Sequence, residues 1–291
     1  MTHPAPAKQA GAEQPRAVPT AADLQEMLPK ARPRSAPRPF RSRRGEIMLY
    51  RFLVLTAVIG FWEVGAANEW IDSFFWSQPT EIFATGIAAF QSGMIVDNTL
   101  FTFTSTIAGF VLGVGGGVGI GLLFWWSNRL ALTSEPLLVT VEAMPKLALA
   151  PIVVLAFGLG IASKIAMATL LVIVIQALNT YTAVKAVDQD QVTLLRSLGA
   201  SEWQVFSRVV VPSVLPAVGA SLRISIGLAL SGAIVGEYIG STMGLGRMIQ
   251  YAGMTYEIDL IWVGIFMLMV LAMLLYAGVS LLERLFPSSS R

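Results

Sequence analysis

Apolar residues in this chain come in long runs, not in the narrow stripes of a soluble amphipathic helix or the strict alternation of a half-buried strand. Six runs reach the ~20 mostly apolar residues that a membrane-spanning helix needs. They cover approximately residues 47–66, 99–126, 137–159, 165–184, 214–236 and 260–282. The third is interrupted by Glu142, Pro145 and Lys146; such breaks are tolerated where neighbouring helices or a cavity satisfy the freed backbone. The predicted fold is all-α, a polytopic membrane bundle of about six transmembrane helices.

Composition agrees with that reading. Hydrophobic residues make up 55% of the 291 positions and charged residues 13%, with mean hydropathy +0.66, whereas a soluble domain carries roughly 25% charged residues. Cysteine is absent and the only histidine is His3. Disulfides, thiolate nucleophiles, Ser-His-Asp triads and histidine metal sites are thereby excluded. No catalytic residue, metal ligand or cofactor of its own is expected in this chain.

The net charge of +2 hides an asymmetry, because residues 1–46 hold nine basic and four acidic side chains. Eight of the fifteen prolines also lie there. The segment reads as a disordered basic tail, distinct from a membrane domain over 47–291. A secretory signal would place its apolar stretch directly after the first basic residues, and here that stretch starts only near Ile47. Arg41, Arg43 and Arg44 precede it as a topogenic anchor, or as a contact for anionic lipid. With that cluster inside, six crossings put both termini inside. The 184–212 loop, with Lys185, Arg196 and Arg208, is then also internal. The acidic segment with Glu69, Asp72, Glu81 and Asp97 is external, in accord with the positive-inside rule.

Gly109, Gly113, Gly117 and Gly121 form a four-residue ladder on the second run. It allows close helix approach, either within one subunit or between two. No dinucleotide loop can be drawn through these glycines. A P-loop is excluded as well, since the five lysines follow Ala7, Pro29, Pro145, Ser163 and Val184 and none forms the required Gly-Lys pair. Energy must come from an ion gradient or from another subunit.

Residues 186–212 read AVDQDQVTLLRSLGASEWQVFSRVVVP. Two amphipathic stretches, 188–198 and 201–210, flank Gly199 and Ala200, as expected of a helical hairpin reversed at a glycine. Leu194, Leu195 and Leu198 share helical spacing on the first stretch; Trp203, Phe206 and Val210 do so on the second. Apolar side chains on such a hairpin need a docking partner or the bilayer surface.

This loop resembles the cytoplasmic coupling loop of ABC importer permeases. Gly199 and the Val209-Val210-Val211-Pro212 end match, while Thr193-Leu194-Leu195 stands where the general motif has Glu-Ala-Ala. RSLGAS followed by WQVF is similar to the nitrate/sulfonate/taurine/bicarbonate subfamily. WSQPTEI (76–82), MPKLALAPIVVLAFGLGIASK (144–164), ALNT (177–180), SLRISIG (221–227), GEYIGSTMGLG (236–246) and LLER (281–284) resemble the same subfamily in the same order, over approximately residues 60–285. Ser105 departs from it, standing where an arginine is usual.

The resemblance implies a type I ABC importer permease in the bacterial inner membrane. It would pair with a second copy or a sister permease, two cytoplasmic ATPases that bind ATP and Mg, and an extracytoplasmic solute-binding protein. The implied cargo is a small anion of the nitrate, sulfonate/taurine or bicarbonate type; a vitamin precursor or aromatic acid is the alternative. In this reading residues 185–213 couple to the ATPase through Leu194, Leu195, Arg196, Leu198, Gly199, Ala200, Ser201 and Pro212. Leu195 and Leu198 form the apolar plug. An ion-coupled secondary transporter is the reading from another class, but the internal repeat common in such folds is not evident.

Charges within the spans point to the pathway, because each costs several kcal/mol to insert. Glu63 falls at the outer end of the first span. Glu142 and Lys146, four residues apart, can pair along one helix face. Glu237 closes the fifth span and is expected to face the binding protein or the pathway. Arg223 lies about ten residues beyond Pro212, roughly 15 Å into the bilayer at 1.5 Å per residue. It is expected either to pair with Glu142 or Glu237 or to line a cavity for an oxyanion. Asn179, within the ALNT match, completes the pathway candidates.

Overall fold

The computed structural model describes residues 44–284. The tail with His3, Arg41 and Arg43, the side chain of Arg44 and residues 285–291 lie outside the described residues, and the expectations placed on them go no further. Regular structure among the described residues is helical throughout. Residues 44–55 form a unit by themselves, the N-terminal part of helix α1 (Arg44–Ala67), with Glu46 in its first turn, where a carboxylate suits the helix dipole.

Residues 56–284 form the second unit. After the C-terminal part of α1 come α2 (Ser73–Trp76) and α3 (Pro79–Gln91), the latter opened by a proline in its first turn. Helix α4 (Met94–Leu123) and helix α7 (Ile161–Lys185) are long apolar spans. Between them lie α5 (Asn128–Ala143), a 3₁₀ turn (Lys146–Leu149) and α6 (Ala150–Phe157). Helix α5 and the segment after it meet at an 82° bend. Pro145 accounts for the bend: a proline excludes helical geometry from the residue before it, and Met144 is extended at φ −69°, ψ 140°.

The chain continues through α8 (Gln189–Ser197), α9 (Glu202–Val205), a π-helical turn (Phe206–Val210) and the span α10 (Val211–Ile239). It ends with α11 (Leu245–Thr255) and the span α12 (Ile258–Glu283). Among the described residues five helices are long and apolar enough to cross a membrane, and the bent pair makes a sixth crossing if it counts as one. Helices α3 and α11 lie outside the six apolar runs.

Helix α4 presents its glycine ladder to α7. A methyl group built on Gly117 would stand 2.6 Å from the Ile173 carbonyl oxygen and 3.0 Å from the Ala177 amide nitrogen. Backbone meets backbone there, which only a residue without a side chain allows. Gly232 of α10 makes an equivalent approach to Met167 and Ala168 of α7. Helices α4, α7 and α10 pack on one another as the centre of the bundle, and α12 packs over them through Leu271, Leu275 and Val279.

One end of this unit is tied by long-range polar contacts. Ser77 Oγ donates to Asp259, Thr80 donates to Glu63 from both its backbone N–H (3.1 Å) and Oγ1 (2.8 Å), and the Gly244 N–H donates to Asn98 Oδ1 at 2.7 Å. No Lys or Arg occurs between Arg51 and Arg129, while Glu63, Glu69, Asp72, Glu81 and Asp97 do. This is the acidic end. The α8–α9 hairpin occupies the other.

Candidate functional site

The hairpin is rigid by construction. Asp188 caps α8 by accepting from the Asp190 N–H at 2.9 Å. At its far end the N–H of Ala200 returns to the Leu195 carbonyl at 3.0 Å and that of Gly199 to Arg196 at 3.0 Å. Gly199 sits at φ 82°, the left-handed geometry that favours glycine in this closing turn. Ser201 and Gln204 then form a reciprocal capping box at the start of α9. Val192, Val205, Phe206, Val209 and Val210 bury one face of the hairpin against Val184, Val187, Val214 and Val218.

The three leucines divide. Leu195 and Ala200 turn inward onto that cluster, whereas Leu194 is 61% and Leu198 75% exposed. The exposed pair is Leu194 and Leu198, whereas Leu195, expected to form the plug with Leu198, is half-buried against the cluster. Leu195 and Leu198 are three positions apart, Leu194 and Leu198 four, and only the second pair shares the outer face. Arg196 makes a bidentate pair with Glu202, both bonds 2.9 Å, with both side chains well exposed. Pro212 stands in the first turn of α10, as expected.

The pathway candidates do not converge. Arg223 pairs with neither Glu142 nor Glu237. Its guanidinium meets Glu283 at 2.6 Å and Ser280 at 3.4 Å and lies 5.5 Å from the Tyr276 ring centroid, tying α10 to the end of α12. Arg223 thus spends its charge on a neighbouring helix. Glu142 and Lys146 form the expected i,i+4 pair at 2.9 Å. Asn179 is half-buried on α7.

Glu237 is fully buried, so it does not present its carboxylate to an outer partner. Its oxygens accept from Thr102 Oγ1 at 2.9 Å and from the Gly246 N–H at 2.7 Å. Thr102 Oγ1 in turn accepts from the Leu245 N–H at 2.9 Å. The carboxylate packs so closely over Gly244, at φ 112°, that a side chain there would overlap it. Lys164, also fully buried, donates to the carbonyls of Leu159 (2.8 Å) and Gly240 and to Ser163 Oγ (3.1 Å). Together these groups fasten the start of α11 and the end of α10 onto α4 and α7.

A second polar cluster lies deeper and has no charge. Gln176 Oε1 accepts from Ser221 Oγ at 2.9 Å and Ser225 Oγ at 3.0 Å, joining α7 to α10. The Gln176 side-chain nitrogen and the hydroxyls of Thr106 and Thr180 are buried with no hydrogen-bond partner among the described residues. Sequence reasoning from charge alone passed over Lys164, read only as the end of a motif, and Gln176, which carries none. A glutamine inside an unbroken apolar run was the available signal.

Residues 109–287 match the family model described as binding-protein-dependent transport system inner membrane component. The riboflavin transport system permease protein RibX of Chloroflexus aurantiacus is 29% identical over 233 residues, 80% of this chain and 87% of RibX. The putative aliphatic sulfonates transport permease protein SsuC of Bacillus subtilis is 30% identical over 247 residues, 85% and 89% of the two chains. Among solved structures, a chain of the MetNI methionine ABC transporter in an inward-facing conformation superposes with TM-score 0.60 at 17% identity. It covers 68% of this chain and 98% of that one, and the likeness concerns the fold.

Proposed function

The chain belongs to the binding-protein-dependent transport inner membrane component family, and from that premise we propose that it couples ATP hydrolysis on a partner to solute import through the α8–α9 hairpin. The permease itself is not an enzyme. The observation that carries the proposal is mechanical: a capped hairpin with an apolar inner face continues through a π turn into α10 and leaves Leu194 and Leu198 without cover. An ATPase subunit supplies that cover. Closure of two nucleotide-binding sites, each holding ATP and Mg, would then push α10 as a lever. In this reading residues 185–213 face the cytoplasm, both termini are cytoplasmic, and the acidic end receives the solute-binding protein. The membrane partner is a second copy or a sister permease.

The cargo is proposed from the same geometry. An oxyanion reading needs an uncommitted positive charge inside the bundle. Lys146 and Arg223 are each paired with a carboxylate, and Lys164 is held by backbone carbonyls. Arg247, half-buried on α11, is held by Gln250 and the Tyr251 ring, and the buried amide and hydroxyl groups with no partner among the described residues, including those of Gln176, Thr180 and Thr106, are neutral. That favours a polar solute of low charge, of the vitamin-precursor class, over nitrate or bicarbonate; an aliphatic sulfonate is the competing cargo. The test is ATP hydrolysis by the reconstituted complex with its binding protein. Stimulation by a heterocyclic vitamin precursor and not by alkanesulfonates or nitrate supports the cargo reading; the reverse pattern overturns it. A permease that purifies with no ATPase from its native membrane overturns the coupling reading itself.

A further inference from the structure

Four of the seven tryptophans of this chain line one cavity of about 460 Å³ at the acidic end of the second unit. Trp62, Trp70, Trp76 and Trp262 form its walls together with Phe61, and Asp72 stands at its edge. Trp62 and Trp262 are half-buried and inclined to each other at 59°, with centroids 4.9 Å apart. The Trp62 indole N–H is fixed by the Ser77 carbonyl at 3.2 Å, so this pair is a preset wedge. Trp70 and Trp76 are exposed at the rim. Asp72 uses Oδ1 to accept from the Phe74 N–H at 2.9 Å; its other oxygen has no partner among the described residues.

Interfacial tryptophans ordinarily spread around a bundle as a belt. Here four rings converge on one concavity and share it with a carboxylate. Indole faces carry negative quadrupole potential and attract a cation, most strongly one that is weakly hydrated and large enough to touch several rings. The segment that supplies Trp62, Trp70, Asp72 and Trp76 has the same sign, because no Lys or Arg occurs between Arg51 and Arg129. The cavity therefore disfavours anions and gives a small neutral aromatic no use for Asp72.

We propose that this cavity binds a methylated ammonium group, the tetraalkylammonium chemistry found in choline, at a site separate from the coupling hairpin and from the polar cluster around Gln176. The rings hold the methyl groups and Asp72 holds the charge. The group can arrive on a free solute or on the headgroup of a choline lipid.

The test uses the full-length permease in choline-free nanodiscs, with tryptophan fluorescence followed during titration by choline at constant ionic strength. Its uncharged isostere, 3,3-dimethylbutan-1-ol, and sodium serve as controls. Saturable quenching by choline and tetramethylammonium, and by neither control, is expected. Asp72→Asn retains a side chain able to cap α2 and removes the charge; it should weaken choline binding roughly fivefold, the scale of one exposed charge pair. Trp70→Ala and Trp76→Ala, both at the exposed rim, should each weaken it further without altering expression. Nanodiscs that contain phosphatidylcholine separate the sources: loss of the choline response there assigns the site to a lipid headgroup, and an unchanged response assigns it to a free solute. Equal quenching by choline and its neutral isostere, or no saturable response in the wild-type protein, overturns the proposal.

Discussion

Glycines on α4 that look alike in sequence should respond in opposite ways to the same substitution. A methyl group at Gly117 would lie 2.6 Å from the Ile173 carbonyl oxygen and 2.7 Å from Gln176 Cβ, where ordinary contact begins near 3.4 Å. The deficit is about 0.8 Å, and the obstructing oxygen is backbone, so relief requires α4 and α7 to separate along their length. Overpacking of this kind costs about 1–3 kcal/mol. Gly115 and Gly119 have nothing within 4 Å. There alanine gains helix propensity of up to about 1 kcal/mol. For a chain of this size a kcal/mol moves the melting midpoint by roughly 2–4 °C. Gly117→Ala should therefore melt several degrees below wild type in detergent, while Gly115→Ala and Gly119→Ala match or exceed it. Midpoints come from tryptophan fluorescence, with size-exclusion profiles to exclude aggregation. If Gly117→Ala melts with or above Gly115→Ala, the backbone contact between α4 and α7 is not what holds the bundle.

Gly199→Val forces a branched side chain into the left-handed region, and should leave permease levels normal while weakening ATPase copurification. Leu198→Asp should weaken copurification without lowering the melting midpoint, whereas Leu195→Asp, on the inner face, should lower the midpoint as well. Glu237→Ala strands the Gly246 N–H and should cost about 1–3 kcal/mol, read as faster proteolysis near residues 240–256; Glu237→Gln, which still offers an acceptor, should cost less. Arg223→Met leaves Glu283 unpaired and should lower the midpoint more than the Arg223→Met, Glu283→Leu double variant does. Because the guanidinium serves α12, substrate specificity should be unchanged in both. Arg196→Ala, which opens an exposed pair, should change neither the midpoint nor complex formation.

The spans were legible in the sequence because apolar length is the property that a bilayer selects. The hairpin was legible because Gly199 and the two amphipathic stretches that flank it are local signals. Which leucine faces outward was not, since Leu194, Leu195 and Leu198 all fit a helical stripe and only the packing of Val192 and Val205 decides among them. The partner of Arg223 was hidden for a related reason: Glu283 lies sixty residues away on another helix. Helix α11 escaped notice because it is amphipathic and short, and its start is organised by Glu237 and Thr102 instead of by its own first turn. Charge was a fair guide to where polar contacts lie and a poor guide to what they do.

The π turn at residues 206–210 has a further meaning for how this chain tolerates change. The Val211 N–H reaches back five residues to Phe206, so the turn carries one residue more than an α-helix would use. One residue is about 100° of rotation. The extra position therefore sets the phase between the hairpin and α10, fixing which flank of that span bears Ser221, Ser225 and Gly232 toward α7. Removing Ser207 or inserting a residue beside it would leave the hydropathy profile untouched, yet it would turn those three positions away from Gln176 and Ala168. A gap or insertion at this turn thus swings an entire membrane helix like a key in a lock.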